Sequence, residues 1–275
     1  MKKSILFIFT ACFLFTTSCS DFLDEEHKTK YSSEYVFGTP EGLKLAVNAL
    51  YALQRYYAND TENATIFALE RGTDLAVTNG GTGNFYGIYD PNYLKPSASQ
   101  VGFMWRTMYQ IIGKANEIIA AAEDLEDTPS LRATVSEAKC FRAQSYFLLY
   151  RTFDRIWLNI QPTTAENVND PRDFHAASEK EVFDLIYEDL EYAITNLDWV
   201  SDEAGRFAQA AARHMKAKAA LWLKDWDTTL EQVEEIEKSG HFDLIALNEV
   251  FNAGDLNHKE ALMVQQWSKN PGGNL

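Results

Sequence analysis

The residue with the clearest chemistry to perform is Cys19. A cationic start at Met1, Lys2 and Lys3 leads into the almost wholly apolar run Ile5 to Phe15, then Thr16, Thr17 and Ser18, then the cysteine. The apolar run is too short to cross a bilayer, which takes about 20 residues. It has the proportions of a secretory h-region ahead of a small-residue cleavage site. A thiol placed directly at that site marks a bacterial lipoprotein signal, in which the sulfur is acylated before the leader is cut. Residues 1–18 therefore read as a leader and Cys19 as the lipid-bearing mature N-terminus. Anchoring by acyl chains, without a membrane span, is the expectation.

The second set of candidate residues lies between Arg71 and Gln100. Gly72, Gly80, Gly81, Gly83, Gly87, Pro91 and Pro96 interrupt any helical period there, and Phe85, Tyr86, Tyr89 and Tyr93 stand among them. A stretch of this length without regular structure is either functional or disordered, and aromatic rings are costly to leave in water. Aromatic faces stack on the CH faces of pyranose rings, while Asp, Asn and Arg side chains satisfy sugar hydroxyls. Asp74, Asn84, Tyr86, Tyr89 and Tyr93 are the candidate ligand-binding residues on that reasoning. The alternative is that these aromatics simply pack beneath the loop.

Catalytic spacing is missing. The sequence contains no H-E-x-x-H, G-x-S-x-G, C-x-x-C or Walker pattern, and Gly81-Thr82-Gly83 lacks the Lys-Ser/Thr that a phosphate loop needs. The five histidines are scattered. His214 reads as the edge of a core. Acidic pairs such as Glu188-Asp189 and Glu234-Glu235 read as solvated helix faces, and nothing singles out two carboxylates aimed at one glycosidic bond. Once Cys12 leaves with the leader and Cys19 takes lipid, only Cys140 remains, a small buried hydrophobe unable to form an internal disulfide. No metal site, cofactor or catalytic group is expected. The net charge of −15, more negative still after loss of Lys2 and Lys3, excludes nucleic acid as a partner.

Helices must position these residues. A hydrophobic fraction of 46% is that of a packed protein and not a disordered one. Ser20 to Ser33 is polar and acidic and reads as an extended tether; residues 19–38 are assigned to it and 39–275 to one helical domain. Thr39-Pro40 is a helix start, followed by Leu43, Ala46, Val47, Leu50 and Leu53 on one face. Trp105, Met108, Tyr109, Ile112, Ala115 and Ile119 define a second helix, and Ala138, Phe141, Ser145, Leu148 and Leu149 a third after Pro129. Ser178 with Glu181 is a capping box opening a helix with Val182, Leu185, Ile186, Leu190, Ala193 and Leu197. An alanine-rich helix through Trp222 follows Gly205, and Asp227 to Ser239 makes another, ended by Gly240. Ala261 to Trp267 alone looks like a strand. Trp105, Tyr109, Ile112, Phe141, Tyr146, Val182, Ile186 and Trp222 are the expected core. Arg213 to Ser239 has the texture of a tetratricopeptide hairpin, with Trp226 filling the turn and Val233 and Ile236 facing back.

Several stretches, in order, resemble the SusD/RagB family of outer-membrane lipoproteins. Trp105 to Asn116 is similar to its "W…Y..I..AN" helix, and Glu137-Ala-Lys-Cys-Phe-Arg142-Ala-Gln-Ser-Tyr146-Phe to its "EA.F.RA.YYF" helix. Glu181 to Leu190, Gly205-Arg206 and the alanine-rich helix match its next segments. Cys19 followed by Ser20-Asp21-Phe22-Leu23-Asp24 is also as the family has it. Phe153 to Leu158 departs from the family's "G.(V)P(L)" turn. The resemblance runs from Cys19 to about Gln266.

The resemblance implies an all-α scaffold: helical hairpins of tetratricopeptide-like type in a right-handed superhelix, with a few short strands near the C-terminal end. It further implies a non-catalytic, lipid-anchored protein of the cell outer membrane that captures oligosaccharide at the surface for a SusC-like TonB-dependent transporter. Peptide capture, a tethered helical-repeat scaffold without a small ligand, and a surface hydrolase are the alternatives. Family members run on into a loop-rich half that contributes to the ligand site. This chain is therefore expected to be incomplete at its C-terminus and to hold glycan weakly by itself.

Overall fold

The computed structural model describes residues 31–59, 95, 99–153, 155–164, 166–171, 174–250 and 258–264. Its helices are α1 (Ser33–Gly38), α2 (Pro40–Asn59), α3 (Ser99–Ala122), α4 (Pro129–Thr152), α5 (Glu179–Asn196), α6 (Gln209–Leu223), α7 (Trp226–Lys238) and α8 (Leu247–Val250). Helices adjacent in sequence are adjacent in space, from α1 on α2 through to α6 on α7. This all-helical, hairpin-by-hairpin arrangement is the expected architecture. Among the described residues no strand occurs. Ala261–Val264, the described part of the expected strand, is irregular, although Met263 packs against the core.

Local chemistry starts and stops the helices where the sequence suggests. Thr39 Oγ1 accepts from the Gly42 N–H at 3.1 Å, ahead of Pro40 in the first turn of α2. Gly42 is obligatory for another reason. A Cβ there would stand 2.2 Å from the Tyr35 carbonyl oxygen and 2.6 Å from Val36 Cα, so α1, inside the stretch read as tether, can fold back onto α2 only if residue 42 has no side chain. At the start of α5 the capping box is complete: the Glu181 N–H donates to Ser178 Oγ, and the Ser178 N–H donates to Glu181 Oε2 at 2.8 Å. The α6–α7 corner turns on Lys224 at φ 61°, and Asp225 caps α7 through the Thr228 N–H.

The core follows the apolar stripes. Leu43, Val47 and Leu50 of α2, Ile112 of α3, Phe141 and Tyr146 of α4, and Val182 and Ile186 of α5 are almost completely buried. Helix α4 lies in the middle, packed by α3 on one side and α5 on the other, which is why its buried residues run nearly all round its surface. Cys140 is buried within it, where burial pushes its thiol well up.

Four expectations need correction. Trp222 is 46% exposed: α6 approaches its neighbours through Ala210, Ala212, Ala217 and Ala220, and these small side chains leave no room for the indole on the inner face. Its indole stands edge-on to Phe147. Trp226 does not fill the α6–α7 turn and Val233 does not face back; both are exposed, because Gln232 takes the inward position of α7 and bonds Arg213. Trp105 and Tyr109 are half-buried, packing against the core from its edge. Asp189 is fully buried, not part of a solvated face.

Candidate functional site

The residues chosen for ligand contact (Asp74, Asn84, Tyr86, Tyr89 and Tyr93) and for lipid attachment (Cys19) lie outside the described residues. What the structure brings together is the frame from which the 60–94 stretch departs. Helix α2 ends at Asn59 and α3 begins at Ser99, and three rings hold that junction. Tyr57 stacks on Phe103 at 6.2 Å with 5° between planes, and Tyr56 meets the same ring edge-on at 5.6 Å. Burial pushes the Tyr57 hydroxyl up to about 12, so it stays protonated at any physiological pH.

Behind that junction, the residues that carried the family resemblance form a buried polar relay. Arg142 Nε and Nη2 donate to the two oxygens of Asp189 at 2.7 Å each. Lys139 Nζ donates to Asp189 Oδ1 at 2.8 Å, and Arg142 Nη1 donates to Asn116 Oδ1 at 2.8 Å. Asn116 Nδ2 then reaches the Asn159 carbonyl at 2.9 Å. Two tyrosines complete the attachment of this 156–161 strap. The Tyr146 hydroxyl donates to the Asn159 carbonyl and accepts from its N–H, both at 2.7 Å. The Tyr109 hydroxyl does the same to Trp157, at 2.7 and 2.8 Å. Every polar group of the relay finds a partner, as burial requires. The 156–161 strap is thus held to α3 and α4 at Trp157 and Asn159.

A second relay joins α2, α4 and the chain before α6. Arg206 donates to Glu137 Oε1 at 2.8 Å and to Asn48 Oδ1 at 2.7 Å. The Tyr51 hydroxyl donates to Glu137 Oε2 and accepts from the Phe207 N–H. Burial pushes the Glu137 carboxyl up, against the pull of Arg206 and Tyr51. These contacts explain why Asn116, Glu137, Arg142 and Arg206 recur in the motif: they hold helices together, and none faces an open cleft. Sequence reasoning missed Asp189 as the partner of Arg142 and Lys139, although it falls on the same stripe as Val182, Ile186 and Ala193. Among the described residues no His/Cys/Asp/Glu group could hold a metal.

Residues 21–221 match the family model described as SusD-like, starch-binding, associating with the outer membrane. The chain belongs to this family. Among curated relatives, a SusD-like protein of Bacteroides ovatus is 25% identical over 97% of this chain and 50% of its own length. The SusD-like protein P38 of Formosa agariphila is 27% identical over 89% of this chain and 48% of its own. Solved structures with the same fold include a SusD-like protein of Bacteroides fragilis, with TM-score 0.67, 19% identity, and coverage of 87% of this chain and 47% of that one. A structure described as containing a xylogluco-oligosaccharide gives TM-score 0.66 and 21% identity over 82% of this chain and 46% of that one. This SusD-like chain spans about half the length of the curated relatives it matches. Among its described residues, no helix is long and apolar enough to cross a membrane.

Proposed function

We propose that this SusD-like protein is a lipid-anchored, surface-exposed binding protein that captures oligosaccharide and passes it to a SusC-like TonB-dependent transporter of the outer membrane. The family match over residues 21–221 carries the reading. Similar structures are described as laminarin-binding and as containing a xylogluco-oligosaccharide, which supports glycan as the ligand class. The leader and Cys19 supply the anchor, and the buried relays brace the helical scaffold that carries the binding residues. Within that stretch Asp74, Asn84, Tyr86, Tyr89 and Tyr93 contact the sugar, the rings by stacking and the polar pair through hydroxyls. The role is binding without catalysis.

Affinity purification from outer membranes in detergent tests the proposal. The expected result is co-purification of a TonB-dependent transporter, with glycan binding by the complex that weakens when Tyr86 or Tyr93 becomes alanine. In parallel, Cys19→Ala leaves an unprocessed or soluble protein. A complex that binds peptides and no glycan, or a Cys19→Ala protein still wholly in the membrane, would overturn it.

A further inference from the structure

A cleft of about 170 Å³ is lined by the C-terminal end of α2 and by residues of α3, α4, α5 and α6. Tyr57, Met108, Phe147 and Met215 are among its lining residues, with Gln144, Arg151 and Lys218. We propose that this cleft docks an acidic polypeptide segment, which inserts one large apolar side chain between the two methionines and lays its carboxylates against Arg151 and Lys218. The inference stands apart from the glycan reading, because it concerns a different ligand class and other residues.

Size argues for a single side chain. Pockets for drug-sized or multi-ring ligands enclose about 300–1,000 Å³, and this one is smaller, the dimension of an anchor pocket at a protein–protein interface. Its lining includes two thioethers and two aromatic rings. Methionine adapts its shape to an incoming group, which suits an apolar side chain.

Charge argues for acidity. In this strongly acidic chain many cations already have carboxylate partners: Lys44 with Glu203, Lys139 and Arg142 with Asp189, Arg206 with Glu137, Lys216 with Glu191 and Lys238 with Glu234. Arg151 and Lys218 meet no carboxylate among the described residues. The Arg151 guanidinium lies 4.4 Å over the Phe147 ring, and its pKa is lowered by desolvation. The ring backs the guanidinium plane, and the side chain is exposed, so its donors can meet an incoming carboxylate. Two cations without a carboxylate partner among the described residues, beside an apolar hole, complement a carboxylate-flanked Phe or Leu and repel a basic segment.

The test uses the full protein with 13C-labelled methionine methyls; the five methionines of the sequence make assignment tractable. The probe is a blocked acidic peptide of alternating Asp and Glu with one central Phe. Saturable shifts at the Met108 and Met215 methyls are expected, with affinity falling about tenfold when the peptide Phe becomes Ala. Arg151→Gln with Lys218→Gln should weaken binding about fivefold, and added salt should weaken it further. Both side chains are exposed, so the double variant should keep the parent's circular dichroism; should it not, the Phe/Ala comparison on the parent protein still decides. Silent methyls at millimolar peptide would overturn the proposal. So would equal shifts from a Lys-rich Phe peptide, or an oligosaccharide that moves these methyls at lower concentration than the peptide.

Discussion

Arg142 and Asp189 meet through two parallel hydrogen bonds of 2.7 Å in the centre of the protein, with the carboxylate wholly excluded from solvent. Lys139, one turn earlier on α4, closes on the same carboxylate. Such a cluster contributes little net stability over an apolar core, since desolvating the ions offsets their attraction. Its effect is on geometry. Only one rotation of α5 against α4 brings a planar guanidinium edge-on to the carboxylate, so the pair fixes the register of the two most extensively packed helices. Through Asn116 the same guanidinium also holds the 156–161 strap.

Removing the carboxylate should therefore be severe. Asp189→Ala leaves Arg142 and Lys139 buried without a counter-ion and is expected to cost about 3–5 kcal/mol. Urea denaturation of the full protein measures it. A loss below about 1 kcal/mol would mean that the cluster behaves like a surface ion pair.

Tyr146→Phe tests the strap separately. The ring stays, but the Asn159 N–H and carbonyl each lose the hydroxyl. The expected cost is about 1–3 kcal/mol, with accelerated hydrogen exchange at the Asn159 amide and little change at core amides of α5. Uniform acceleration across the protein would instead indicate global destabilisation without a local role.

Glu181 gives a pH-dependent prediction. Hydrogen bonds from the Ser178 side chain and then its backbone hold the Glu181 carboxyl below the ordinary value. A depressed folded pKa contributes stability above the ordinary carboxylate range and loses it as pH falls through the lowered value. Ser178→Ala should thus destabilise α5 at neutral pH and progressively less in acid. Carbon-detected titration should show the Glu181 midpoint moving back up in that variant; an unmoved midpoint would remove the capping box as its cause.

Truncating aromatics should separate buried from exposed rings. Phe141, buried between Tyr51 and Phe207, is expected to cost about 3–5 kcal/mol on replacement by alanine. Trp226→Ala, at an exposed position, should change stability by no more than about 0.5 kcal/mol. Equal losses, compared by denaturant midpoint at constant slope, would place Trp226 in the core after all.

The helices were legible because their signals are local. Thr39-Pro40, the Ser178/Glu181 box and Gly240 act within one turn, and the stripes of α2 and α5 repeat within a helix. The errors at Trp222, Trp226 and Asp189 share a cause: each concerns which neighbour a helix face meets. An alanine-rich face lets α6 approach closely and pushes its tryptophan outward, a choice that depends on α5 and not on α6. The Arg142–Asp189 contact spans 47 positions, and nothing in Glu188-Asp189 itself tells that one carboxylate faces solvent while the other faces a guanidinium.

The sequence by itself determined the helical class, the positions of most helices and the family, because period, capping chemistry and ordered motifs are properties of the chain alone. The tertiary structure decided what the motif residues do. Asn116, Glu137, Arg142 and Arg206 could have been ligand contacts as easily as structural ones on residue type. Packing takes them out of water, and a buried charge must find its partner inside the protein, so the fold turns them into the braces of the scaffold.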